Sequence, residues 1–323
     1  MPAAAIIINR MRVRDLAGFQ RKCRAAAQAS GLAAEFLETT RGDQGLALAR
    51  QAVAAGAALV VAAGGDGTVR SCAQALAGQP TPGNPVPGNT VPGNTVPGNT
   101  VPGNTVPLAI VPLGTANLAA RALGLPRRLD AALAVAFHGQ QRRIDLAEAD
   151  GMPYAAMAGI GLDATVVGAT PRLLKDRFGW LGYAAAGTAR LPGRRHEFTV
   201  RLDGRPPLTR RARSVAVGNA GLLPGGCALL PDARLDDGVL DVAILAPASP
   251  AAWGRVAYRV ITGSRHDDRR LERHRARRVE IQAGVVLPRE VDGEVIAPGR
   301  ALTIEVRPAA LLVRVPKSGQ AWG

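Results

Sequence analysis

Gly64-Gly65-Asp66-Gly67-Thr68 follows the apolar run Ala57 to Ala63 and precedes the helix-compatible segment Val69 to Ala77. A buried strand that empties into glycines and then a helix can hold phosphate: missing side chains let backbone N–H groups approach an anion, and the helix N-terminus favours negative charge. Asp66 adds a carboxylate able to hold magnesium or its water shell. A second turn of the same kind, Pro112-Leu113-Gly114-Thr115-Ala116-Asn117, also lies between a strand-like and a helix-like run, with Thr115 placed to touch a phosphate or sugar. Either turn alone reads equally well as a tight strand-to-helix connection. Two at neighbouring strand ends would bracket one nucleotide, so the chemistry expected is that of a nucleotide-using enzyme.

The elements that must position these turns alternate short apolar runs with amphipathic ones: Ala4 to Ile8, Leu16 to Ala29, Ala33 to Leu37, Gly45 to Ala54, then the run that enters the first turn. Leu108 to Val111 supplies a further strand, and Ala116 to Leu123 and Leu129 to Phe137 supply helices. This alternation predicts an N-terminal doubly wound parallel sheet over 1–145. After Asp145 the texture changes to short β-rich runs, among them Tyr154 to Met157, Glu197 to Leu202, Ser214 to Val217, Val239 to Leu245, Arg278 to Gln282 and Leu302 to Val306. They predict a C-terminal antiparallel β-sandwich-like domain over 146–307, with Asp203-Gly204 and Asp292-Gly293 as tight hairpin turns. Two helical stretches, Arg172 to Arg190 and Pro250 to Ile261, interrupt it, and 308–323 is expected to return to the first domain.

Between Pro82 and Val106, Pro-Gly-Asn-Pro-Val is followed by four copies of Pro-Gly-Asn-Thr-Val. Proline and glycine at every fifth position exclude a helix or central strand, leaving a chain of turns or a flexible linker. It should leave the sheet on the edge opposite the phosphate loops and reads as a tolerated repeat expansion.

Composition narrows the partners. The 323 residues, 47% hydrophobic, suffice for two cores, while 3% aromatic argues against a base-stacking platform, so no nucleic-acid role is expected. Lys+Arg of 40 against Asp+Glu of 25 gives a formal +15, nearly all from arginine, which predicts attraction to an anionic surface such as a membrane. Arginines cluster at Arg190, Arg194 and Arg195, at Arg210, Arg211 and Arg213, and from Arg265 through Arg278; Arg172 to Arg190, with Leu173, Leu174, Phe178, Trp180 and Leu181, is the better candidate for touching lipid. Each arginine cluster alone also reads as a solvated surface. Cys23, Cys72 and Cys227 are far apart, without zinc spacing, and suggest a reducing interior; the histidines lack ligand spacing. No apolar run is long enough to span a bilayer, so the expected location is cytoplasmic with peripheral membrane contact. Gly159-Ile160-Gly161-Leu162-Asp163-Ala164 resembles a dinucleotide fingerprint, Gly-x-Gly-x-x-Ala, but it is short and sits where the β-rich half begins rather than opening a βαβ unit, so it reads better as a packing turn.

Gly64 to Thr68, Pro112 to Asn117, Gly159 to Asp163, Leu235-Asp236-Asp237-Gly238 and Val291-Asp292-Gly293-Glu294 occur in an order that resembles the diacylglycerol kinase family of bacterial lipid kinases and sphingosine kinases, distantly similar to NAD kinases. The resemblance implies ATP-dependent phosphorylation of a lipid hydroxyl, diacylglycerol first among the candidates. It implies that Gly64, Gly65, Asp66, Gly67 and Thr68 hold ATP phosphates, with Asn9, Thr40, Gly114, Thr115 and Asn117 as further nucleotide-side residues. Glu294 matches the family's catalytic base, and Asp66 and Asp145 would help organise a catalytic Mg2+. Arg234, Asp237 and Val239 match positions that bind a structural magnesium in some members, the first and last through carbonyls. Two positions depart from the family pattern: Asn9-Arg10-Met11-Arg12-Val13 stands for Asn-Pro-x-Ser-Gly, so that Arg10 or Arg12 would supply charge in place of backbone contacts, and Leu118 stands where an Asp is usual. An NAD kinase-like phosphotransferase and a catalytically silent basic lipid-binding protein stay open as alternatives, and so does a homodimer.

Overall fold

The computed structural model describes residues 1–40, 42–77, 105–161, 194–221 and 227–317. The repeat up to 104, the helical stretch Arg172 to Arg190, and Leu162-Asp163 lie outside them. The chain divides into two compact units, Met1–Gly114 with Leu123–Ile144 and Ala309–Gly323, and Thr115–Ala122 with Asp145–Pro308.

In the first unit β1 (Ala3–Ile8) lies between β2 (Ala33–Glu38) and β3 (Leu59–Gly64), and β4 (Leu108–Pro112) pairs with β3, all parallel. The strands β3 and β4 are buried along their whole length, as parallel strands covered on both faces must be, which is why they read as unbroken apolar runs. Alternate residues of β1 serve opposite faces. Ala4, Ile6 and Ile8 pack with Phe19, Cys23, Leu133 and Phe137, whereas Ala5 packs with Ala52 and Ala57. Helices α1 (Leu16–Ala29) and α5 (Leu129–His138) supply the first set and α2 (Leu46–Ala54) part of the second, so the sheet is doubly wound as expected. The N-cap of α1 is Asp15, whose carboxylate accepts from Gly18 N–H at 2.9 Å, and its buried Phe19, Cys23 and Ala27 recur every four residues. The helix α3 (Asp66–Ala77) buries Cys72, Ala73 and Leu76.

The second unit is antiparallel. Its strands β7 (Met157–Ile160), β10 (Ser214–Gly218), β11 (Leu240–Leu245), β12 (Leu271–Ala276), β13 (Arg278–Val291) and the part of β14 (Glu294–Val315) up to Pro308 run in the order β12-β11-β10-β7-β13-β14. At 14 residues β13 pairs with β14 along one edge and with two strands along the other: its end pairs with β7, while Val279 to Ala283 pairs with β8 (His196–Leu202), itself paired with β9 (Leu208–Ala212). A register irregularity between Gln282 and Leu287 separates the two pairings. Phe198, Val200, Val217, Leu240, Val242, Ile281 and Leu302 share one core, giving the expected sandwich-like β domain. The remaining helices are α4 (Leu118–Ala122), shorter than the expected Ala116 to Leu123, and α6 (Pro250–Thr262). Ser249 caps α6 by accepting from Ala252 N–H at 3.2 Å, Pro250 opens it, and Gly263 at φ 63° closes it. Trp253, Val256 and Val260 of α6 pack on Ala216, Ala243, Leu245 and Leu271, with Cys227 at the edge of that cluster.

The sequence reading took Tyr154 to Met157 as one strand. Two are present, β6 (Met152–Tyr154) and β7, because the N–H groups of Ala155, Ala156 and Met157 turn away from a ladder to a carboxylate. The strand β5 (Gln140–Ala149), whose Ala147 to Ala149 pair with β6, went unread because its first residues, Gln140-Gln141-Arg142-Arg143, are polar on both faces.

Candidate active site

One group of the expected site residues lies in the first unit, at the carboxyl ends of the parallel strands. Asn9 follows β1; its N–H donates to Ala63 O at 2.9 Å and its side-chain oxygen accepts from Met11 N–H at 3.2 Å, opening a 3-10 turn over Arg10–Arg12. The Arg10 guanidinium turns to Val13 O at 2.7 Å, so this arginine holds its own loop. Thr39 N–H donates to Ile8 O at 2.9 Å, and Thr40 Oγ1 accepts from Asp43 N–H at 3.1 Å, which braces the turn into α2. Asp43 in turn accepts from Gly45 and Leu46 N–H at 2.9 and 2.8 Å.

At the end of β3 the chain passes through Gly64 and Gly65 directly into α3. Helical bonding there begins with Val69 N–H donating to Gly65 O at 3.1 Å, so the N–H groups of the preceding residues have no partner within the helix. Leu113 N–H donates to Gly64 O at 2.8 Å, which ties the second turn to the first. A Cβ on Gly65 would meet Gly114 Cα at 3.4 Å, and one on Gly64 would lie 2.5 Å from Thr68 Oγ1. The two glycines thus have different reasons: Gly64 makes room for Thr68, which is 2% exposed and folded back over the turn, and Gly65 keeps the two turns apart by no more than a side chain's width. Asp66 is the first residue of α3 and half-buried, a position where a carboxylate is favoured. In the segment after Gly114, Thr115 is exposed, whereas Asn117 is buried in the left-handed conformation at φ 49°, its carbonyl accepting from Arg121 N–H at 2.9 Å.

Glu294 belongs to the second unit and is exposed on the hairpin between β13 and β14. The two central residues, Asp292 and Gly293, have φ 49° and 78°, the left-handed pair of a tight hairpin turn that matches strand twist. The turn is held from below. The carboxylate of Asp292, 9% exposed, accepts from the N–H groups of Ala155, Ala156 and Met157 at 3.0, 2.9 and 3.1 Å. Burial, and then the charge of Asp292, push the Glu290 carboxyl above its ordinary range. Sequence reasoning named the Asp292-Gly293 turn but not this role of Asp292; its only local signal is an Asp where the backbone must turn left-handed.

Asp145 sits elsewhere than a residue reaching for magnesium through solvent would. It is 2% exposed, its Oδ2 accepts from Gly238 N–H at 2.6 Å, its N–H donates to Leu235 O at 2.6 Å, and Asn219 Nδ2 donates to its carbonyl at 2.9 Å. It therefore clamps the Leu235-Asp236-Asp237-Gly238 turn. In that turn Asp237 Oδ1 accepts from Val239 N–H at 3.2 Å and Oδ2 is ion-paired with Arg275, while Arg234 Nε lies 3.3 Å from Asp236. Both oxygens of Asp237 are engaged, and no group of three or more His, Cys, Asp or Glu among the described residues is arranged to hold a metal. The Asp237 carboxylate, the side-chain ligand expected there, is held by the fold itself through Val239 N–H and Arg275.

Comparison with known proteins accounts for both units. The diacylglycerol kinase catalytic domain family matches residues 4–149, and the YegS C-terminal NAD kinase beta sandwich-like domain family matches 156–315. A Pseudomonas aeruginosa PAO1 protein described as a "Probable lipid kinase YegS-like" is 33% identical over 271 residues, 83% of this chain and 80% of the relative. One of the same description from Pseudomonas syringae pv. syringae is 32% identical over 278 residues, 85% and 82% of the two chains. A crystal structure of a diacylglycerol kinase from Bacillus anthracis str. Sterne superposes with a TM-score of 0.70 at 19% identity, covering 98% of this chain and 97% of that one, a likeness of fold. By two domain matches in order and by identity along most of its length, the chain belongs to the family of YegS-like lipid kinases.

Proposed function

We propose that this protein transfers the γ-phosphoryl group of ATP to a lipid hydroxyl, with conversion of diacylglycerol to phosphatidic acid as the first-choice reaction. The observation that carries the reading is the β3–α3 turn, where glycine backbone runs directly into a helix N-terminus, a setting that favours an anion. ATP phosphates take the backbone N–H groups at Gly65 to Thr68, with Gly114 and Thr115 on the neighbouring turn and Asn9 and Thr40 shaping the loops beside them. Asn117 fixes the start of the helix that follows Thr115, and Asp145 fixes the Leu235 to Gly238 turn of the second unit. Asp66, a half-buried carboxylate at the start of α3, would help hold Mg2+, which when bound would neutralise charge on the transferring phosphate. Glu294 accepts the proton of the lipid hydroxyl as that oxygen bonds to the γ-phosphorus and the bond to the ADP oxygen breaks. Glu294 is exposed on a hairpin pinned by three hydrogen bonds, which fixes the backbone that presents it, as a general base requires.

Peripheral contact with an anionic bilayer is proposed as well. Tyr258 and Ile261 on α6 are 68% and 63% exposed, Arg255 is exposed on the same helix, and the chain carries a formal +15. Among the described residues no helix is long and apolar enough to cross a membrane.

Purified protein incubated with labelled ATP and a panel of diacylglycerol, sphingosine and phosphatidylglycerol micelles, with NAD as a separate arm, tests the reaction. Label in phosphatidic acid, lost in Glu294→Gln with ATP binding retained, is the expected result. Label in NADP and none in lipid overturns the lipid assignment, and no transfer to any acceptor overturns the kinase reading.

A further inference from the structure

The Leu235 to Gly238 turn is rich in acid, and its charge is already balanced. Asp237 in the turn and Asp241 on β11 are joined by one side chain from the next strand: Arg275 of β12 stands directly across from Asp241 in the antiparallel register. Its Nη2 pairs with Asp237 Oδ2, and its Nε lies 3.6 Å from Asp241 Oδ1. The neighbouring Asp232 is paired with Arg265 at 2.6 Å. Asp241 is the most enclosed of these, with 7% of its side chain exposed, and its Oδ2 is buried without a hydrogen-bond partner.

We infer that the Arg275 guanidinium occupies the role of a divalent cation at this turn, so that the wild-type fold needs no metal there and removing Arg275 opens a site for one. A guanidinium is a permanent cation with a fixed fork of donors, able to bind two carboxylates at once without losing a tightly held hydration shell. A divalent ion would instead need Asp237 Oδ2, the oxygen that Arg275 holds. Without Arg275, Asp237 and Asp241 would lose their shared counter-charge, and Asp241 Oδ2, which has no hydrogen-bond partner, would be a further carboxylate oxygen for an ion. Oxygen donors of that kind suit Ca2+ better than Mg2+, because calcium accepts irregular geometry.

Thermal melting of the full chain without nucleotide, in EDTA and in CaCl2, tests this. The wild-type Tm is expected to be the same in both, and a calcium-dependent rise that Asp237→Asn abolishes would overturn the inference. Arg275→Gln is expected to melt several degrees lower than wild type in EDTA and to recover most of that loss in CaCl2, whereas the Asp237→Asn, Arg275→Gln double variant gains no such recovery. A single variant that melts like wild type in EDTA, or that calcium does not restore, counts against it. If that variant fails to fold in either condition, the wild-type comparison with Asp237→Asn decides.

Discussion

Met157 and Asp292 hold each other in both directions: Met157 N–H donates to the Asp292 carboxylate at 3.1 Å, and Asp292 N–H donates to Met157 O at 2.8 Å. The two residues lie 135 positions apart, and this clasp fixes the hairpin that presents Glu294. Substituting Asp292 with Ala should strand three buried N–H donors at once and cost about 3 kcal/mol or more, because an orphaned buried donor keeps its full desolvation penalty. Asp292→Asn retains one acceptor and should cost less. Urea denaturation midpoints give the ranking, and a fall in kcat larger than any change in the KM for ATP would place the effect at Glu294 rather than at the nucleotide.

Gly64 and Gly65 should respond differently to the same substitution. Gly64→Ala drives a methyl to 2.5 Å from Thr68 Oγ1 and 2.7 Å from its Cβ, so the fold itself should weaken, read as a lowered Tm. Gly65→Ala meets only Gly114 Cα at 3.4 Å, so the Tm should stay near wild type while the KM for ATP rises about tenfold, the worth of roughly 1.4 kcal/mol or one hydrogen bond to phosphate. Equal loss of stability in both variants would remove the distinction.

Acid should loosen the attachment of α6. Burial of Asp268 acts to raise its pKa, but the ion pair with Arg259 of α6 at 2.9 Å, the Arg270 N–H at 2.8 Å and the Arg270 guanidinium at 2.6 Å outweigh it and hold the carboxyl well below its usual range. A depressed pKa stabilises the fold above the unfolded value of about 3.9 and loses that contribution as pH falls from there toward the folded value. The Tm of wild type should therefore exceed that of Asp268→Asn at pH 7, with the gap closing below about pH 4. A constant gap across that range would show that Asp268 acts by shape alone.

Tyr258→Ser combined with Ile261→Ser should reduce co-sedimentation with phosphatidylglycerol vesicles several-fold and leave the Tm near wild type, since both side chains are mostly exposed. Binding to phosphatidylcholine vesicles should be weak for both proteins. Unchanged binding to the anionic vesicles would move the contact away from α6.

The parallel strands were legible because burial on both faces makes them continuous apolar runs, as in Leu59 to Ala63, and the glycine turns because backbone without side chains leaves a direct trace in sequence. The sandwich was legible as a class, less so strand by strand. Ala155 and Ala156 look like strand until a carboxylate from Asp292 takes their N–H groups, and nothing near them in sequence announces that. Asp145 is the same case in another place: its residue type reads as a capping or magnesium-side carboxylate, while its bonds go to Gly238 and Leu235, some ninety positions later. Arg275 was read as one member of a basic surface cluster, because only the β11–β12 register sets it across from Asp241. Motif spacing records which residues are present; what each holds depends on contacts between distant segments.

The thiols give the protein a built-in reporter of when the first unit opens. Cys23 under β1 is fully buried and its pKa is pushed up to about 12 by that burial, and Cys72 in α3 is buried and shifted in the same direction, so neither forms thiolate while the first unit is closed. Cys227, at the edge of the α6 cluster in the second unit, is only partly covered. Alkylation followed by mass mapping would thus time the opening of the first unit against an internal reference: Cys227 is open to label in the closed protein, and labelling at Cys23 and Cys72 marks the moment the nucleotide-side sheet comes apart.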